Sequence, residues 1–497
     1  MVQSVKLQMK NNLAPINRIP PEVFSTIPEY WSDEDTADED LITATHVCRG
    51  WRDLFISSSS LWTQLNCTHV EKTRIYVERS KLSPLDISIR DKDTPFLSDA
   101  FLLTIPHLTR LRSLSIFGLS RNLVGVINQH LHYPAPSLEK LKISFVGAPR
   151  PIEGTTFDGD LSSLRDLRLS GVLTNLPWVN LPNLTTFYFR NVPSDKVSVT
   201  QLLDFFEHAP FLRNVTLTQA SSTTSDAPLG RAVTLPHLKL LKISAQPVYS
   251  ALLKHLSIPR GAVLILDFDF YGEISPIPIC LPKPFDNLKN ILPITSVNLL
   301  FDPVLSLRLN GPNGGLYIYG NWDGRSTSLP AIHRQGLRSL DHFPISSTER
   351  LTIRTYSVTP LQPVEDSATY KTLILMNALR TLTLIDCLNA SFVSAFDPSQ
   401  NPFGTLLCPA LEELTLYVKK KGQFCMKELL AMTKERNLKG ARLTTIKIIS
   451  VKEFMSAEAV FKLRDWVTRV KYRLDNAVPA WDDDPDGIPH FEDDDDW

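Results

Sequence analysis

One phrase recurs along this chain: an apolar residue, two others, an apolar residue, one other, an apolar residue. It stands at Leu138, Leu141, Ile143, at Leu164, Leu167, Leu169, at Leu184, Phe187, Phe189, at Leu212, Val215, Leu217 and at Leu238, Leu241, Ile243. It returns at Leu379, Leu382, Leu384, at Leu411, Leu414, Leu416 and at Leu443, Ile446, Ile448. An imperfect first copy, Leu108, Leu111, Leu114, takes its last apolar step at Ile116. Proline precedes five copies, as Pro136, Pro182, Pro210, Pro236 and Pro409. Proline cannot prolong a helix and biases the chain toward an extended entry. The apolar-x-apolar ending has a period of two, so each phrase predicts a short strand with one buried face. Between phrases lie helix-period stretches, such as 200–208 with Leu202, Leu203, Phe205 and Phe206, and 248–256 with Leu252, Leu253 and Leu256.

A strand-plus-helix unit cannot bury its apolar side alone, whereas stacked copies build a continuous core. The phrase resembles the leucine-rich repeat over roughly residues 100–455. The resemblance implies an α/β repeat solenoid with parallel strands on a concave face. Spacing is uneven, and the Asn or Cys that usually follows the last strand leucine has one clear counterpart, Cys387. The stretch 260–360 holds apolar strands (263–270, 304–309, 316–319, 351–353) but few complete phrases. Residues 66–99 read as a connector, and 457–474 as an amphipathic helix capping the repeats within 456–475. An ordinary α/β domain with coincidental leucines is the alternative.

Residues 13–65 have a different pattern. Ile16, Ile19, Val23 and Ile27 form one helical stripe, with Pro20 and Pro21 at its start. A second stripe runs through Leu41, Ala44, Val47, Cys48, Trp51, Leu54 and Phe55. Three short motifs follow in order: Ile19-Pro20-Pro21-Glu22-Val23, Val47-Cys48-Arg49-Gly50-Trp51-Arg52, and Leu61-Trp62. Together they resemble the F-box, the small all-α module that docks a target receptor onto an SCF-type ubiquitin ligase. The resemblance implies binding of the ligase adaptor, and through it a cullin scaffold, by Pro20, Val23, Ile27, Val47, Cys48 and Trp51. Two departures stand out. Pro28 is expected to end the first helix early, and the acidic stretch 32–40 separates the two stripes. Trp51 and Trp62 either meet the partner or close the module's own core. The layout as a whole is similar to that of the large fungal families of F-box proteins.

Composition narrows the remaining classes. The 52 basic and 53 acidic residues nearly cancel, which gives no overall pull toward nucleic acid or an anionic membrane. The polar start, 1–12, reads as a flexible segment with no signal-peptide core, and no apolar run approaches the about 20 residues a membrane helix needs. Six cysteines without Cys-x-x-Cys spacing read as reduced thiols of a cytoplasmic or nuclear protein. With 36 prolines and only 20 glycines, the chain has little material for phosphate-cradling loops. Nucleophile-elbow and zinc-protease motifs are absent. Residues 311–315 read as a turn, and Asp267 with Asp269 as one solvated strand face. No catalytic residue, metal or cofactor is expected.

The acidic residues gather at 476–497, read as a disordered tail. It either only solvates the chain, or binds a basic partner or folds back across the strands. The sequence thus predicts a non-catalytic target receptor of an SCF-type ligase, with a target protein held on strand positions such as Lys142, Arg168, Tyr188, Thr216 and Lys242. The alternative is a repeat scaffold that binds partners without a ubiquitin role. An enzyme site assembled across repeats ranks third.

Overall fold

Each leucine phrase ends in two apolar residues two apart, and each such pair becomes the buried side of a strand. The computed structural model describes most of residues 37–474 and parts of 15–27. Outside the description lie 1–14, 28–36, 91–96, 119–123, 153–160, 175–180, 192–197, 219–229, 245–251, 271–280, 323–336, 356–366, 387–389, 401–403, 419–425, 452–456, 475–497 and a few isolated positions. The expectations for 1–12, for Pro28, for Cys387 and for the acidic tail fall there. The chain divides into two compact units, Met1–Val192 with His208–Pro210, and Pro193–Glu207 with Phe211–Trp497.

The first unit holds α1 (Ala37–Val47), α2 (Arg49–Ser57), β1 (Gln64–Leu65), α3 (Val70–Arg79), β2 (Leu85–Arg90), α4 (Leu97–Leu102) and β3 (Leu111–Gly118). It continues through β4 (Lys140–Phe145), β5 (Arg150–Ile152), β6 (Asp166–Ser170), β7 (Val172–Thr174) and β8 (Thr186–Arg190). A parallel ladder runs β1, β2, β3, β4, β6, β8, and β5 pairs with β7 beside it. The expected connector at 66–99 is therefore wrong. Leu85, Ile87 and Ile89 alternate, are buried, and make β2 a full member of the sheet. The full phrase stands there as Leu82, Leu85 and Ile87, but its leading leucine is exposed where those of the other copies are buried.

The second unit holds α5 (Val199–Glu207), β9 (Asn214–Thr218), β10 (Val233–Thr234), β11 (Leu240–Ser244), β12 (Leu256–Ser257), β13 (Val263–Phe270), β14 (Ser296–Phe301), β15 (Val304–Asn310) and β16 (Gly315–Trp322). Then come β17 (Arg350–Thr355), α6 (Ser367–Leu375), β18 (Thr381–Ile385), α7 (Ala390–Ala395), β19 (Glu413–Val418), α8 (Met426–Leu438), β20 (Thr445–Ser450), α9 (Ala457–Arg464) and β21 (Arg469–Leu474). The spatial order is β9, β11, β13, β16, β15, β14, β17, β18, β19, β20, β21. Among the described strands only β15 runs against its neighbours. The fold is thus α/β, built on a large, mostly parallel sheet that does not close into a barrel.

The meander β14–β16 explains why 260–360 has few complete phrases. Its turn closes when the Gly311 amide donates to the Gly314 carbonyl at 2.9 Å. A Cβ at Gly314 would collide with the carbonyl oxygens of Ala262 and Arg260, so the backbone contact there requires glycine. The helix expected over 457–474 is also corrected. It ends at Arg464, and 469–474 pair in parallel with β20. Val470, Tyr472 and Leu474 alternate with Arg469, Lys471 and Arg473, a period-two pattern that outweighed the helical reading.

Proline has a sharper role than an extended entry. The amides of Leu138, Leu184, Leu238 and Leu411 donate to the carbonyls of Ala135, Leu181, Leu235 and Cys408, three residues earlier. Pro136, Pro182, Pro236 and Pro409 are the second residues of those turns, where a fixed φ is favourable. The turn's first and last side chains are both buried. Past the strands the chain bends through left-handed residues, Gly171 after β6, Asn191 after β8 and Asp386 after β18. At Gly171 a Cβ would collide with the Phe145 carbonyl oxygen.

Candidate docking site

The segment before the ladder is anchored from its inner side. Phe55 and Trp62 are fully buried, and the Trp62 indole N–H donates to the Phe55 carbonyl at 2.8 Å. The Trp62 ring meets Tyr76 edge-on at 5.0 Å, and the Arg79 guanidinium lies over it at 4.3 Å. Trp62 therefore closes the unit's own core, which resolves the choice left open by the sequence.

The second stripe folds as two helices rather than one. Cys48 stands between them in extended conformation, and its Sγ accepts the Trp51 amide at 3.4 Å, capping α2. The Arg52 Nε donates back to the Thr45 carbonyl at 3.0 Å, which ties the helices together across the cap. The last four residues of the acidic stretch, 37–40, form the first turn of α1, the end of a helix where acidic residues are favoured.

Several apolar side chains of the segment are exposed. Val23 is 54% exposed and Val47 56% exposed, with Ile16 and Ile42 also exposed. Pro20 is exposed, while Ile27, Cys48 and Trp51 are half-buried; Trp51 packs edge-on against Phe55 at 6.1 Å. Of the six predicted adaptor-binding residues, Pro20, Val23 and Val47 are the accessible ones, and Cys48 already serves as a cap. Ile42 was missed because it lies off the stripe that faces the core. Its signal was its position one turn before His46 and Val47, at the end of α1.

The strand candidates sit where alternation places them. Lys142, Arg168 and Tyr188 face one another in register across β4, β6 and β8. In the second unit Thr216 is level with Lys242. All five are half-buried on the side away from the leucines. Arg168 holds Asp166 on its own strand at 3.1 Å.

The described thiols Cys48, Cys67 and Cys408 are free, and burial pushes those of Cys67 and Cys408 up to about 12. At neutral pH these two remain protonated, which makes them poor nucleophiles. Among the described residues no group of three His, Cys, Asp or Glu side chains could hold a metal ion. No described helix is long and apolar enough to cross a membrane. Comparison with models of known protein families and with curated proteins finds no match for this chain.

Proposed function

We propose that this chain is a non-catalytic target receptor of an SCF-type ubiquitin ligase. Its F-box-like segment, 13–65, docks the ligase adaptor through Pro20, Val23 and Val47 at its surface, and through the adaptor the cullin scaffold. The strand ladders act as a leucine-rich-repeat-like solenoid whose polar strand side holds a target protein. The chain then contributes proximity: it keeps a target near an activated ubiquitin carried by other subunits.

The observation that carries this reading is the exposed apolar surface on Val23 and Val47. A small helical segment whose largest aromatics are already packed inward has no internal use for these side chains. A partner that covered both side chains would remove their apolar atoms from water. Their place within the motif Val47 to Arg52 favours the adaptor as that partner.

The test is co-purification of the tagged chain with the SCF adaptor, beside the double variant Val23→Lys, Val47→Lys. Both sites are exposed, so the variant is expected to keep its fold. Stoichiometric adaptor on the parent and none on the folded variant supports the reading. A folded parent that retains no adaptor overturns it and leaves a scaffold that uses only the strand side.

A further inference from the structure

The charge of this chain is partitioned. Residues 475–497 carry ten acidic residues and no lysine or arginine, so all 52 basic residues precede them, against 43 acids. In the second unit eight basic residues lie on the strand side away from the leucines, Arg308 and Arg354 buried there and the others at least partly exposed. Register places Lys242, Arg308, Arg350, Arg354, Lys447, Arg469, Lys471 and Arg473 on that side. Three acids share it, Asp267 and Asp269 on β13 and Glu413 on β19, and of these Glu413 alone lies beside β20.

The last strand is where this side is most open. Arg469, Lys471 and Arg473 are exposed and share one face of β21, level with Thr445, Lys447 and Ile449 on β20. Lys447 is held by Glu413 one strand further in. That pair neutralises the one acid of this corner. Among the described strands β21 pairs with β20 alone, so its other edge presents backbone N–H and C=O groups. The acidic residues begin immediately after Leu474.

We propose that the acidic segment 475–497 is the occupant of this basic strand side, bound in cis over β20 and β21. Its reach is ample, since 23 residues span up to about 75 Å when extended. Attachment to Leu474 gives it an effective concentration on the order of millimolar, so modest ion pairing suffices to hold it. Its aromatic residues Trp481, Phe491 and Trp497 flank the acid runs and can rest against exposed apolar atoms at the rim. A bound segment here excludes other acidic chains from the same side until it is displaced. The inference stands on charge and register, independently of whether the helical segment binds an adaptor.

The experiment uses the full chain and a full-length variant in which the ten tail acids are replaced by Asn and Gln. The probe is a synthetic peptide with the sequence of residues 475–497. The neutralised variant is expected to bind the peptide about tenfold or more tightly than the parent, because the parent's own segment competes. Binding should weaken as salt rises, and should be lost when Arg469→Glu and Lys471→Glu are added. Amides of 469–474 should exchange with deuterium faster in the neutralised variant than in the parent. Equal peptide binding by parent and variant, or binding by neither, overturns the proposal. Protection of 469–474 that rises with protein concentration also overturns it, because the segment then acts between copies.

Discussion

The helical segment 37–62 and the strand ladders solve the same burial problem in opposite ways. In the ladders each leucine phrase is covered by its neighbours: Leu167, Leu169, Leu414 and Leu416 are nearly inaccessible. Every repeat supplies the surface that the next one lacks, so the leucines of the phrases are covered, although single apolar side chains such as Val146, Phe211 and Leu438 stay exposed between strands. The helical segment has only one neighbour. Phe55 and Trp62 use that contact, and Val47 and Ile42 remain in solvent. A repeat array is self-sufficient in its core, whereas a short helical module exposes whatever a partner must cover.

The comparison breaks first at Trp62. If the helical segment is anchored as described, Trp62→Ala removes the ring packed by Tyr76 and Arg79 and the bond to the Phe55 carbonyl. The expected loss is about 4 kcal/mol, from the usual cost of truncating a buried aromatic, read as a lower urea midpoint. A loss under 1 kcal/mol would show that the segment is not held by this contact. Next in size is Leu416→Ala in β19, a fully buried position between two strands. It should cost about 3 kcal/mol and leave adaptor capture by the helical segment unchanged. Loss of capture without loss of fold would contradict the division of labour drawn here.

Gly171→Ala follows. Its φ of 63° and the nearby Phe145 carbonyl make any side chain unfavourable at that bend. A destabilisation of about 2 kcal/mol is expected from strain in the left-handed region plus the collision. Asn191, at φ 53° after the next strand, offers a matched control. Asn191→Gly should be neutral or slightly stabilising, since glycine accepts that conformation without cost.

The leucine phrases made most of the sheet legible because a period of two leaves a direct trace in sequence. Leu141 and Ile143 could be placed on a strand without further knowledge, and so could β13, β15, β16 and β17 within 260–360, whereas β14 escaped. The parts that escaped have physical reasons. β2 carries the alternation of Leu85, Ile87 and Ile89 and even the leading leucine, Leu82, but that side chain is exposed, so this copy differs from the others in burial and not in spacing. β21 has Val470 and Tyr472 two apart but follows α9 closely, so helical and strand periods overlapped. The reversed strand β15 is set by the glycine turn at 311–315 and by pairing on both sides, which no local pattern records. At the candidate docking site the motif identified the right segment but not the accessibility of its members. Cys48 looked like a contact residue and is a helix cap, because a side chain at a helix start has a backbone amide within reach.

Val47 gives the smallest stability effect and the most direct test of the contrast. It is the last residue of α1 and more than half exposed, so little apolar contact is lost when it is replaced. Lysine is a better helix former than valine, and a cation at a helix C-terminus interacts favourably with the helix dipole. Val47→Lys should therefore change stability by less than about 0.5 kcal/mol. Yet it places a charge at an exposed apolar position of the docking segment, where a bound partner would have to bury it at high cost. The urea midpoint should stay with the parent while adaptor co-purification falls at least about tenfold, the consequence of 1.4 kcal/mol or more of lost affinity. If both quantities stay with the parent, Val47 is an ordinary surface residue, and the open side of the helical segment is not what binds. If both fall together, Val47 belongs to the core after all, and the contrast between a self-sufficient ladder and an incomplete helical module disappears.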